Sequence, residues 1–394
     1  MRLKIFCSLL FFGVTLSADS SLLSKRQNDI LQNEQKQNIK SSDILKLNWI
    51  NPITATLSRS KSDKLNPSVT SDSFTISLNQ PIFKSGGIYY AIKYAKANRE
   101  FLELNTKLKK RSLIKNVLFL IASLKDLDLK IEKERLLIEN ADIDIKRKRE
   151  QFLSGVLDSS FLDNAMLNKN SLQMALLDME ASKFDLLKSL KDLSDIDYKS
   201  FSFTHMKLLN IDDFLSENLK IKDALANSKQ TKYIKKMTIS NYFPTISLFA
   251  NYNYSKSDNG IFNSKDSYKQ YGLRISMPLF DINRGKNIEL QRLKYLKSKL
   301  MLNDTKQKER DLFNSVIKKV EIYNKKIKLS KEQAKLYSSL LKTTKNLYDA
   351  GEKTIYDVKT LKNSLKRSRI DEKIYRYEID KILLDLYEHI EEKK

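Results

Sequence analysis

Few side chains in this 394-residue chain could carry metal, redox or nucleophilic chemistry. The two histidines, His205 and His389, are far apart, and neither has a second His or Cys near it at a metal-ligand spacing. The one cysteine, Cys7, lies in an apolar N-terminal run, so the rest of the chain offers no thiol for a disulfide, a metal or a nucleophile. No Gly-rich phosphate loop is present. The expectation is a protein that is not an enzyme, with no metal and no cofactor, whose function rests on a surface or a passage.

The formal net charge of +24 would suit a polyanion in a cytoplasmic protein, because clustered Lys and Arg neutralise phosphates and release counterions. Here the basic residues are scattered along helical patterns rather than clustered. The N-terminus also reads as a secretory signal over residues 1–17, with Arg2 and Lys4 ahead of an apolar run from Ile5 to Leu16 that is too short to span a bilayer. Export argues against nucleic acid as a partner. Cys7 sits too early in that segment to be a lipid-attachment site.

With only 8 Gly and 5 Pro, the chain has little punctuation, so long continuous elements are expected. The punctuation it has repeats. Pro52 and Pro244, Pro81 and Pro278, Gly155 and Gly351, and Asp163 and Asp357 form four ordered pairs separated by 192 to 197 residues, close to half the chain. The expected organisation is therefore a first repeat over 18–209 and a second over 210–394. In each, one β-hairpin (about 52–83 and about 244–280) precedes one helical hairpin (about 88–193 and about 285–390).

Period-2 alternation marks the strands: Ile53, Ala55 and Leu57, then Phe74, Ile76 and Leu78, in the first half. In the second half the apolar set is Ile246, Leu248, Ala250, Tyr252 and Tyr254, then Tyr271, Leu273, Ile275 and Met277. After each hairpin the period becomes that of a coiled coil. Leu113, Val117, Leu120, Leu124, Leu127 and Ile131 are spaced 4, 3, 4, 3, 4, and the second copy runs from Val320 through Tyr323, Ile327, Ala334, Tyr337 and Leu341 to Tyr348. No proline interrupts Gly87 to Gly155, so an unbroken helix there would be roughly 100 Å long at ~1.5 Å per residue. A turn near Gly155 returns a second helix through Leu167, Leu172, Leu176 and Leu177.

Strand number then constrains the assembly. Strands placed in a membrane must pair every backbone group, and four cannot close on themselves. Two copies would make the smallest filled barrel, whereas three give twelve strands and room for a lumen. Outside a membrane, the same strands could form a small sheet capping a helical bundle.

The motifs Gln80-Pro-Ile-Phe-Lys-Ser-Gly-Gly87 and Tyr348-Asp-Ala-Gly351-Glu-Lys-Thr-Ile-Tyr-Asp357-Val358, in this order of hairpins and heptad helices, resemble the TolC-like outer membrane efflux proteins over nearly all of the chain. The resemblance implies a mostly α protein with a β-barrel part. It would be a two-repeat protomer of a homotrimer, with a 12-stranded barrel in outer membrane lipid and a long α-helical tunnel in the periplasm. It also implies a passive exit duct of a tripartite efflux or type I secretion system. The partners would be a periplasmic adaptor (membrane fusion) protein and an inner-membrane transporter of RND, ABC or MFS type, which open the duct at its periplasmic tip.

By the same resemblance the two glycine turns form that tip. Tyr348 stands at the gating tyrosine, Lys353 at the basic link residue and Asp357 at the constriction acid, with Thr360 in place of a second acid. Asp163 is the corresponding group of the first hairpin, offset by two residues, and Asp158 competes for that role. Each has a plainer reading: Tyr348 as a seam residue, the two aspartates as helix-start residues favoured by the macrodipole. Gly155 and Gly351 serve as helix stops, as adaptor docking points, or as both. The competing functional reading is a soluble periplasmic coiled-coil scaffold or adaptor.

Overall fold

The computed structural model describes residues 22–62, 68–203, 206–258, 261 and 263–390. The signal segment 1–17, Cys7 and His205 lie outside the described residues. The elements run α1 (Lys25–Leu47), β1 (Thr54–Ser62), β2 (Val69–Phe83), α2 (Gly87–Leu153), α3 (Ser159–Leu193), α4 (Ile211–Ser216), α5 (Leu219–Ser240), β3 (Thr245–Asp258), β4 (Asn263–Ser276), α6 (Arg284–Asp349) and α7 (Ile355–Tyr387). The fold is mostly helical with one small sheet. Among the described residues, no helix is long and apolar enough to cross a membrane.

The chain divides into two compact units that cut across the sequence halves. One, a helical unit, is drawn from Met1–Leu31, Leu108–Asn218 and Lys308–Lys394; the other, which holds the sheet, from Gln32–Lys107 and Leu219–Gln307. The long helices α2 and α6, of 67 and 66 residues, each contribute one segment to each unit.

In the helical unit the first heptad seam packs as its spacing requires: Val117 and Leu124 are fully buried and Ile131 nearly so. Leu22, Leu23 and Leu31 join Ile114, Ile121 and Leu384 in the same cluster. α1 was not visible in the apolar pattern, because its helix spends few apolar residues on this contact. A second cluster centres on Phe214 and Phe313, whose rings lie 5.5 Å apart. The irregular stretch after α3 is tied down by polar bonds. Tyr198 donates its hydroxyl to Asp128 Oδ2 (3.1 Å), Lys125 Nζ donates to the Phe201 carbonyl (2.7 Å), and buried Asp380 accepts from the Met206 N–H (3.0 Å).

Two details of the seam expectations are corrected. In α6 the half-buried stripe continues from Thr344 to Leu347, and Tyr348 is 41% exposed. In α3, Leu172 and Leu176 are half-buried, but Leu167 and Leu177 are exposed, with Phe161, Met174 and Phe184 beside them on the surface.

The sheet is antiparallel throughout, in the order β1-β2-β3-β4, so the two sequence hairpins are joined through β2 and β3. Its register sorts the side chains onto two unlike faces. One carries Leu57, Phe74 and Tyr254 abreast, then Ile76 with Tyr252, then Ala250 with Tyr271 and Leu248 with Leu273. Toward the loops this apolar face gives way to charge, including an ion pair from Arg59 to Asp72 at 3.3 Å. The other face aligns Thr54 with Ser77 and Asn251, and Thr56 with Thr75 and Asn253. Its hydroxyls link across strands: Thr54 to Ser77 and Ser58 to Ser73, both 2.7 Å.

The Gln80-to-Gly87 motif is explained by its local bonds. Gln80 accepts from the Asn51 N–H (2.8 Å) and donates to the Trp49 carbonyl (3.2 Å), fixing the entry to β1. Gly86 has a φ of +83°, and a Cβ on Gly87 would sit 2.7 Å from the Ser240 hydroxyl, so strand becomes helix here only without side chains.

Candidate functional site: the two glycine turns

Both helical hairpins of the helical unit turn on the same backbone device. At the first, Gly155 (φ +74°) donates to the Phe152 carbonyl (3.0 Å) and Val156 donates to Gln151 (2.9 Å). At the second, Gly351 (φ +80°) donates to Tyr348 (2.9 Å) and Glu352 donates to Leu347 (2.8 Å). Each is a Schellman closure, in which a left-handed residue lets the last carbonyls of a helix find donors. Neither glycine has an atom within 4 Å of where a Cβ would stand, so conformation alone, and not crowding, calls for glycine.

The returning helices are capped differently. Asp158 caps α3 by accepting from the Ser160 N–H (2.9 Å), and that backbone hydrogen bond, with help from the Ser160 and Ser159 hydroxyls, holds its carboxyl below the ordinary value against a small desolvation. α7 starts with a reciprocal capping box. Thr354 Oγ1 accepts from the Asp357 N–H (3.3 Å), while Asp357 Oδ2 accepts from the Thr354 N–H (3.1 Å) and hydroxyl (2.8 Å).

Asp357 does more than cap. Its Oδ1 accepts from Arg147 Nη2 at 2.9 Å, close to the end of α2. Desolvation would raise its pKa, but the two Thr354 hydrogen bonds and the charges of Arg147 and Lys353 outweigh it and hold the carboxyl below its ordinary value. Next to it, the Tyr356 hydroxyl donates to Glu150 Oε1 (3.1 Å), and this bond to a carboxylate raises the phenol pKa. The two pairs form a clasp between the end of α2 and the start of α7.

The structure therefore pairs one of the sequence-selected acids, Asp357, with Arg147, and beside it pairs Tyr356 with Glu150, so that both partners on α2 are residues no sequence pattern singled out. The basic run Lys146-Arg-Lys-Arg149 ahead of Glu150 was the available signal, but its partners lie about 210 positions away, in a register that no local pattern encodes. The other candidates stand apart. Asp163 is exposed and has no hydrogen bond or ion pair among the described residues. The Tyr348 hydroxyl and the Lys353 ammonium likewise have no hydrogen-bonding partner among the described residues, although the Lys353 charge acts on Asp357. No catalytic constellation accompanies these groups.

The arrangement defines a class: a protein of very long helical hairpins with mechanical links at their turns and a small amphipathic sheet. Solved structures of that class match nearly the whole chain in fold. VceC from Vibrio cholerae, an outer membrane protein, superimposes with a TM-score of 0.71 at 15% identity, covering 91% of this chain and 92% of its own. The CmeC outer membrane channel of Campylobacter jejuni gives 0.71 at 16%, covering 95% and 86%. The open state of the MtrE outer membrane channel of Neisseria gonorrhoeae gives 0.63 at 15%, covering 91% and 85%. At such identities the likeness is one of fold. No curated protein sequence matches the chain. Residues 210–390 match the family model of the outer membrane efflux proteins. The family match is confined to the second half of the chain, and over nearly its full length the chain has the fold of the outer membrane channels.

Proposed function

We propose that the chain is one third of a passive exit duct, a homotrimer whose twelve strands form a barrel in the outer membrane and whose helices form a periplasmic tunnel. The observation that carries this reading is the sheet. It has an apolar face, a hydroxyl-and-amide face, and two outer strands, β1 and β4, each paired on one side only. An unpaired backbone edge in hydrocarbon costs several kcal/mol per group, so such a sheet must close with copies of itself. Three copies leave a lumen lined by the polar face. Exposed apolar residues on α3 and on α6, among them Phe184, Leu177, Leu329 and Leu336, supply the surfaces that neighbouring hairpins would cover.

In this reading the glycine turns form the periplasmic tip, and the duct belongs to a tripartite efflux or type I secretion system. The Arg147–Asp357 and Glu150–Tyr356 clasp keeps each protomer's two hairpins together, while the side chains of Tyr348, Lys353 and Asp163, without hydrogen-bonding partners among the described residues, are available to a neighbouring protomer. An adaptor and an inner-membrane transporter would open the tip by displacing those contacts, with Gly155 and Gly351 as their docking points. Purified protein in planar lipid bilayers tests the duct. Discrete conductance steps are expected; protein that is released from membranes without detergent and gives no steps would be a soluble scaffold instead.

A further inference from the structure

The polar face of the sheet is nearly free of charge, and its one cation is built into place. By register this face carries Ser, Thr, Asn and Gln over most of its length, and only Asp266 and Arg274 are charged. The two are eight positions apart on β4, about 27 Å along a strand, with Asp266 at the loop end and Arg274 two positions before the strand finishes at Ser276. They do not neutralise each other. Arg274 is exposed and has no carboxylate partner among the described residues.

Arg274 is held by an aromatic ring. Gly272 lies opposite Phe249, and a Cβ on Gly272 would come 3.2 Å from two atoms of the Phe249 ring, so that ring lies across the glycine. The guanidinium carbon of Arg274 sits 4.9 Å from the centroid of the same ring. Stacking on an aromatic face orients a guanidinium while leaving its in-plane donors unspent. We infer that Phe249 and Arg274 form a cationic ring, one pair per protomer, at the periplasmic end of the barrel lumen, and that this ring favours small anions over cations in transit.

The inference rests on the proposed duct, in which the polar face lines the lumen. The walls beside the ring are hydroxyls and amides, which contribute dipoles but no counter-charge. The apolar face carries its own cations, Arg59, Lys61, Lys256, Lys265 and Lys269, but in the proposed duct that face is turned away from the lumen. Lys269, paired with Tyr252, is therefore a charge-matched control close to Arg274 on the opposite face.

The test is the reversal potential of the full-length protein in planar bilayers across a KCl gradient near ~0.1 M, where the screening length is still about 10 Å. Arg274→Gln should lower the chloride-over-potassium permeability ratio by about fivefold, the scale of a unit charge acting ~4 Å away in water. Arg274→Lys should keep the wild-type ratio, which also shows that the position tolerates substitution, and Lys269→Gln should leave it unchanged. A ratio in Arg274→Gln equal to that of wild type, or an equal fall in Lys269→Gln, overturns the ring. Wild-type protein that forms no channel at all removes the duct on which the ring depends, a result separable from a channel whose selectivity ignores Arg274.

Discussion

Breaking the clasp at Asp357 should loosen the second glycine turn by a calculable amount. Asp357→Asn removes the carboxylate that closes the capping box and leaves Arg147 without its partner. Thr354 remains as the cap, but its box loses the charged acceptor of two hydrogen bonds, about 1 kcal/mol, and a partly exposed ion pair adds about 0.2–1 kcal/mol. Together these come to roughly 1–2 kcal/mol, or a factor of about 5–30 in the opening equilibrium of the turn. Hydrogen exchange reads this directly at the Thr354 and Asp357 amides, both of which donate within the box.

The sign of the pH dependence follows from the same contacts. The folded carboxyl titrates below its ordinary value, so its stabilisation is present above the unfolded carboxylate range and is lost as pH falls through the folded pKa. Protection should therefore be flat between pH 5 and 8 and collapse only below about 4. Arg147→Ala combined with Asp357→Asn should cost less than the two single changes added, because both remove one contact. Strict additivity, or protection in Asp357→Asn equal to that of wild type, would refute the clasp.

Other expectations follow from the same coordinates. Tyr348→Phe and Lys353→Ala remove groups that have no hydrogen-bonding partner among the described residues, so each should leave the stability of the isolated protomer within about 0.5 kcal/mol while raising single-channel conductance; unchanged conductance would return Tyr348 to a surface role. Gly351→Ala should lower stability by about 1–2 kcal/mol through its φ of +80° alone, with Gly351→Asn costing less, as read from thermal unfolding. Asp223, on α5, has a buried Oδ1 with no hydrogen-bond partner among the described residues, and desolvation lifts its pKa to about 6. The folded state then holds this proton more tightly than the unfolded chain, so stability falls as pH rises from about 4 to 6. Asp223→Asn should abolish that fall and stabilise the protein at pH 7 by about 1 kcal/mol after allowance for partial exposure.

Much of this architecture was legible because the driving periods are local. The alternation from Ile246 to Tyr254 specifies which face of β3 is apolar, and the 4, 3 spacing from Leu113 to Ile131 specifies which stripe of α2 is buried. The glycine turns were legible for the same reason, since a left-handed residue at a helix end has few substitutes. What escaped depends on tertiary register. The helix at Lys25–Leu47 is mostly polar and owes its place to a few contacts, Leu31 among them. Arg147 meets Asp357 only because two long helices are aligned to within a turn over a great length. Tyr348 lies one residue past the half-buried Leu347, a shift that the 3, 4 rhythm of the seam does not encode. The outward leucines of α3 show the converse: a helical apolar pattern reports that a face will be buried, and not whether the burying partner is in the same chain.

Whether one chain is a third of a pore can be read from the mass of the detergent-extracted particle by native mass spectrometry. A species of three chains is expected, one that needs detergent to remain in solution and retains its mass on dilution. A monomer stable in detergent-free buffer would contradict it.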